Sequence, residues 1–174
     1  MKLIFDASCL ITAAKFKSGS RFVLDRIADT HQIIIPPQVK KETVADGLKQ
    51  GYTDAVEIGR RVKKGLIMVK AISNKMPVLE KVLDDYGVES GDREVLLLAE
   101  DTADYDFLVT DDQMLYIIAH RLELKVSFLP DLICKITSLG TIQPEEALKI
   151  LAAIKPRYRK GFIEHSIKRV EGVI

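Results

Sequence analysis

Short, continuous apolar runs alternate in this chain with longer segments whose apolar residues recur at helical spacing. The runs at 2–5 (KLIF), 32–35 (QIII), 66–72 (LIMVKAI), 107–110 (FLVT) and 125–129 (KVSFL) read as strands buried on both faces. Helices are expected over 7–15, from the Ser18-Gly19-Ser20 loop to about Asp29, and from Pro36-Pro37 through Val39, Glu42, Thr43 and Asp46. Further helices are expected over 53–64, closed by Gly65, from Pro77, from a cap at Ser90 or Gly91, over 113–123, after Pro130, and near 144–155 and 159–171. Strands separated by helical lengths predict an α/β fold, a three-layer α/β/α sandwich with a central parallel sheet. Right-handed crossovers then bring the carboxyl ends of all the strands to one edge. Residues 1–140 hold the sheet, and 141–174 form a C-terminal helical extension packed on the same domain.

Acids stand at the strand ends. Asp6 follows the first strand, and Asp111 and Asp112 follow the fourth. Adjacent carboxylates at the end of a buried strand repel each other, and a cation is the usual reason for them. Taken one at a time, each acid is better explained by capping the next helix, so the case rests on their combination. Asp92 and Glu94 lie in the first turn of one helix, but about 100° per residue sends them to different faces. Asp92 shares its face with Val95, Leu96, Ala99 and Ala103 and is aimed inward, whereas Glu94 shares its face with Asp101 and is expected to be solvated. An inward carboxylate is costly unless a cation or hydrogen bonds compensate it. Glu42 falls near the same sheet edge as Asp6, with an exposed pairing to Lys41 or Lys49 as the plain alternative.

The formal charge of +1 conceals an uneven distribution. Residues 75–112 carry three basic and twelve acidic side chains, net −9, while 141–174 carry seven basic and four acidic, net +3. An acidic centre inside a basic rim suits a protein that holds both metal and a polyanion. The rim is expected at Arg60, Arg61, Lys63 and Lys64, with Lys15 and Lys17 beside the first loop. Cys9 and Cys134 have no metal or disulfide spacing and read as reduced and buried, consistent with cytoplasm. No apolar run approaches the roughly 20 residues of a membrane span, and the three histidines lack metal-ligand spacing.

The order Asp6 (LIFDAS), Glu42 (VKKET), Asp92 (SGDREVLLLAE) and Thr110-Asp111-Asp112 (LVTDD) resembles the PIN-domain ribonucleases, a family that includes the VapC-type toxins and ribosome-maturation nucleases. The resemblance spans roughly residues 1–130 and implies a parallel α/β/α sandwich whose acids hold Mg²⁺ or Mn²⁺ for phosphodiester hydrolysis. By motif, Asp6, Glu42, Asp92 and Asp112 match the family's acids, with Asp112 two residues after the threonine. Ser8 and Thr110 match its supporting hydroxyls, and Asp111 is a further expected metal ligand. RNA is the implied partner, with a small antitoxin protein and a homodimer as further expectations. The two C-terminal helices resemble an extension of some prokaryotic PIN-related proteins. A haloacid-dehalogenase-like phosphatase would need an Asp where Ser8 stands, and a receiver domain would need its acid pair at the first strand. The rival reading is a PIN-like module that keeps the acids but only binds RNA or a partner.

Overall fold

The computed structural model describes residues 1–174. Strand β1 (Lys2–Phe5) leads into α1 (Ala7–Lys15), then a small hairpin, β2 (Lys17–Ser18) and β3 (Arg21–Phe22), and α2 (Val23–Ala28). Strand β4 (Gln32–Ile35) is followed by α3 (Pro37–Lys40), which continues through a π-helical turn (Lys41–Asp46) into α4 (Gly47–Lys49). After α5 (Thr53–Lys63) and β5 (Ile67–Val69) come α6 (Pro77–Asp85), α7 (Ser90–Asp101), β6 (Phe107–Val109), α8 (Gln113–Arg121) and β7 (Val126–Ser127). The chain closes with α9 (Leu129–Ser138), α10 (Pro144–Ile154), a 3-10 turn at Lys155–Arg157, and α11 (Lys160–Val170).

The sheet has the order β5-β4-β1-β6-β7 and every pairing in it is parallel. Strand β1 lies at its centre, with Leu3 between Ile33 and Phe107 and Ile4 between Ile34 and Leu108. Leu3, Ile4 and Phe5 have no exposure at all, which accounts for an apolar run without alternation. From β1 the chain crosses first to β4 and β5, then returns past β1 to β6. That reversal opens a crevice at the carboxyl ends of β1 and β6, the place where such sheets collect ligands. Helices α10 and α11 are part of the same body: Ala147, Ile150, Leu151, Ile154 and Ile163 belong to one continuous core with β1 and α1.

Several elements are shorter than their sequence signal. Of 66–72 only Ile67–Val69 pairs, because β5 is an edge strand, with Met68 exposed. The run at 125–129 yields two strand residues, since Phe128 is already the N-cap of α9. The segment expected as a basic loop is partly the β2-β3 hairpin, turning at Gly19 with φ 63°. The N-cap of α7 is Glu89, one residue before the expected position. No helix is long and apolar enough to cross a membrane.

Candidate functional site

Asp6 leaves β1 with its backbone N–H still bonded to Val109 of β6 (3.1 Å), which pins it in the crevice. Its carboxylate is 2% exposed and accepts three hydrogen bonds: Cys9 N on Oδ1 (2.7 Å), and Ser8 Oγ (2.8 Å) and Thr110 Oγ1 (2.6 Å) on Oδ2. The Cys9 bond makes it the N-cap of α1, so the capping and site readings hold together. Burial outweighs these donors, and its pKa is pushed up to about 7. Thr110 serves two acids at once, donating to Asp6 and accepting from Asp112 N (2.9 Å). Ser8 Oγ likewise accepts a long bond from Asp111 N (3.4 Å).

Asp112 caps α8 through Oδ1, which accepts from Leu115 N at 2.8 Å. Asp92, half-buried in the first turn of α7, has neither a hydrogen bond nor an ion pair. Burial, and then the negative charges of Asp112, Glu89 and Glu42, raise its pKa to about 6. Glu42 lies in the π-helical turn, where Oε1 accepts from Gln38 Nε2 (2.8 Å). The alternative pairing is not made, because Lys41 and Lys49 both go to Asp46, at 3.1 and 2.9 Å. The carboxylate instead sits against the backbone of α7: a Cβ on Gly91 would meet Glu42 Oε2 at 2.7 Å and Oε1 at 2.8 Å.

Three sequence assignments change. Glu94 is not solvated; its Oε2 accepts from Gln38 N (2.9 Å) at the start of α3 and ties the helix bearing Glu42 to the helix bearing Asp92. Both oxygens of Asp111 are shielded from solvent without a hydrogen bond of good geometry, as is Tyr158 Oη. The groups nearest its carboxylate are Tyr158, Cys9, Leu129 and Thr12, and burial raises its pKa. Asp111 is thus buried among α1, the start of α9 and Tyr158, near enough to Asp6 for its charge to raise the Asp6 pKa.

The third change concerns the basic rim. Arg61 is 1% exposed, bidentate to Asp25 (2.8 and 2.6 Å), bonded to Glu57 and stacked over the Phe22 ring, so it cannot reach a phosphate. Arg60 pairs with Glu57, whereas Lys63 and Lys64 are exposed. This run immediately precedes β5, whose first residue pairs with Ile33 near the start of β4. It therefore lies at the edge where strands begin, and the acids lie where they end. Lys15 ends α1 and Lys17 follows it, at the end away from Asp6. Basic side chains do stand beside Asp111: Arg157 and Arg159 line a hollow of about 650 Å³ together with it and Gln113. The sequence signal for them was the positive balance of 141–174.

A family model described as a PIN domain (DUF3368) matches residues 2–171. The chain belongs to the PIN-domain family. Among solved structures, a PilT N-terminus domain protein from the hyperthermophilic archaeon Sulfolobus solfataricus P2 has the same fold, at TM-score 0.52 and 14% identity over 82% of this chain and 95% of that one. A domain of a functionally unknown protein from Methanocaldococcus jannaschii DSM 2661 is similar at TM-score 0.46 and 19% identity, over 74% of this chain and 90% of that one. No curated protein matches the sequence.

PIN domains are in general metal-dependent nucleases, and the donor set of this PIN domain has the right chemistry for a hard divalent ion. It offers carboxylate oxygens without Lys or Arg partners, and Asp92 in particular lacks any compensation. The carboxylates approach one another without three of them closing on a common ligand position.

Proposed function

We propose that this PIN domain is a ribonuclease that hydrolyses RNA phosphodiester bonds with the help of Mg²⁺ or Mn²⁺. Asp92 carries the reading: a half-buried carboxylate with no partner, facing Asp112, Glu89 and Glu42, bears its charge at a cost that a cation beside it would relieve. Asp6, Asp92 and Asp112 would hold the ion, and when bound it would supply an activated water and charge neutralisation at the phosphate. Ser8 and Thr110 keep Asp6 turned into the crevice, and the Thr110 bond to Asp112 N fixes the start of α8 relative to it. Glu42 is held by Gln38 through Oε1, leaving Oε2 to accept a proton from water.

Calorimetric titration with Mn²⁺, paired with cleavage of labelled RNA, tests this. Asp92→Asn is expected to lose both binding and cleavage while keeping its melting temperature. Wild-type protein that binds no Mn²⁺ would overturn the reading. The open arrangement of the carboxylates supports a second one, a PIN-like module that binds RNA or a protein partner without cutting it. That module would bind RNA equally well in chelator and cleave none of the substrates offered.

A further inference from the structure

Four of the chain's eleven Tyr and Phe rings form one ladder beside the acids. Tyr116 of α8 stacks on Phe128 with centroids 4.3 Å apart and planes at 9°; Phe128 meets Phe162 edge-on at 5.3 Å, and Phe162 is near-parallel to Tyr158 at 6.0 Å. Phe162, on α11, is 37% exposed. Two hollows flank the ladder and share Phe128, Gly161 and Phe162. One, of about 650 Å³, begins at Asp111 and Gln113; the other, of about 480 Å³, runs on to His165.

The backbone here sorts side chains by sign and polarity. Tyr158 (φ −123°, ψ 154°) and Arg159 (φ −62°, ψ 141°) are extended, so successive side chains point to opposite sides. Tyr158 goes inward to Asp111, and Arg157 and Arg159 remain exposed with no carboxylate partner. Gly161 leaves the cleft open, since a Cβ there would meet no atom within 4 Å.

We propose that this cleft binds single-stranded RNA, with Arg157 and Arg159 on the phosphates and the partly exposed ring of Phe162 against a base. Charge and continuity select the occupant. Two unpaired guanidinium groups and an aromatic face form the combination that tracks a sugar-phosphate backbone while receiving unstacked bases. The cleft starts at Asp111 and Gln113, the two residues that flank Asp112 in the chain. A duplex keeps its base faces covered and could not use the ladder. The inference rests on the ribonuclease reading for its direction, but its test is a binding test.

Fluorescence anisotropy with a labelled RNA octamer, in an Asp112→Asn background that does not cleave, reads the cleft directly. Phe162→Ala is expected to weaken binding about 5- to 150-fold, the range for one lost base stack, without changing the salt dependence. Arg157→Gln with Arg159→Gln should flatten the slope of log K against log salt by about 1.4. Gly161→Leu should fill the cleft and abolish binding with an unchanged melting temperature. Folded variants that bind like their parent, or a duplex that binds as tightly as the single strand, would overturn the proposal. So would protein that binds no oligonucleotide but forms a dimer dispersed by Gly161→Leu. If Asp92→Asn stops cleavage while all cleft variants bind normally, the cleft fails and the nuclease stands. If the cleft variants behave as expected and wild-type protein cuts nothing, the nuclease fails and the cleft stands.

Discussion

Gly91 shows how one missing side chain positions another. Its Cα lies under the Glu42 carboxylate, and its helical backbone would accept alanine, which gains up to about 1 kcal/mol of helix propensity. Gly91→Ala is therefore expected to keep or raise the melting temperature while displacing Glu42 and lowering RNA cleavage at least about tenfold. A second test uses protons. In chelator, Asp6 at about 7 and Asp92 at about 6 both stand above the unfolded value of about 3.9. Their contribution to stability is fully present below pH 3.9 and is lost as pH rises through 6 to 7. His31, lowered by burial, acts the other way, losing stability as pH falls through its own range. Urea midpoints at pH 5.5 and 8 in wild type and Asp6→Asn separate the two, and the variant is expected to gain stability at pH 8 more than at pH 5.5. Asp6, Asp92 and Asp112 were legible because each ends an apolar run or shares an apolar helix face. Glu94 and Arg61 were not, because Gln38 N and Asp25 lie 56 and 36 residues away and reach them only across the fold.

Helix α5 carries its basic residues for two different purposes. Arg61 is the buried hub joining α5 to α2, and removing it leaves Asp25 and Glu57 without their main cation. Those carboxylates are partly exposed, so Arg61→Ala is expected to cost about 3 kcal/mol, the low end for a broken buried pair, and to leave RNA affinity unchanged. Lys63→Gln with Lys64→Gln should alter neither, as chemical denaturation and anisotropy on the same samples would show. The RRVKK run read as one phosphate-contacting rim because a run of basic residues at the end of a helix does not reveal which of them turns inward. The strands were legible in position but not in length: β5 ends where the edge of the sheet gives it nothing more to pair with, and β7 yields to the cap of α9. The π-helical turn under Glu42 leaves no composition signal at all.

Seen whole, the molecule gathers Asp6 and Asp112 at the edge where its strands end and keeps the buried Arg61 ion pairs apart from them. The alternation of strands and helices was sufficient to place Asp6 and Asp112 together, since parallel topology does that without further instruction. The contribution of the C-terminal helices was not legible, because Tyr158 meets Asp111 only after α9 and α10 have turned the chain back. A chain cut after residue 140 would lose Ile150, Leu151, Ile154 and Ile163 from a continuous core. It is expected to lose cooperative thermal unfolding, as calorimetry would show.

The aromatic ladder also determines how this protein emits light. The chain has no tryptophan, and two of its five tyrosines, Tyr116 and Tyr158, lie in the ladder. Tyr158 directs its phenol at the Asp111 carboxyl, an acceptor for the excited-state proton. Ultraviolet emission from the unlabelled protein thus comes from a small set of rings, two of them lining the hollows beside the ladder. A strand entering the cleft would be reported by the protein's own fluorescence.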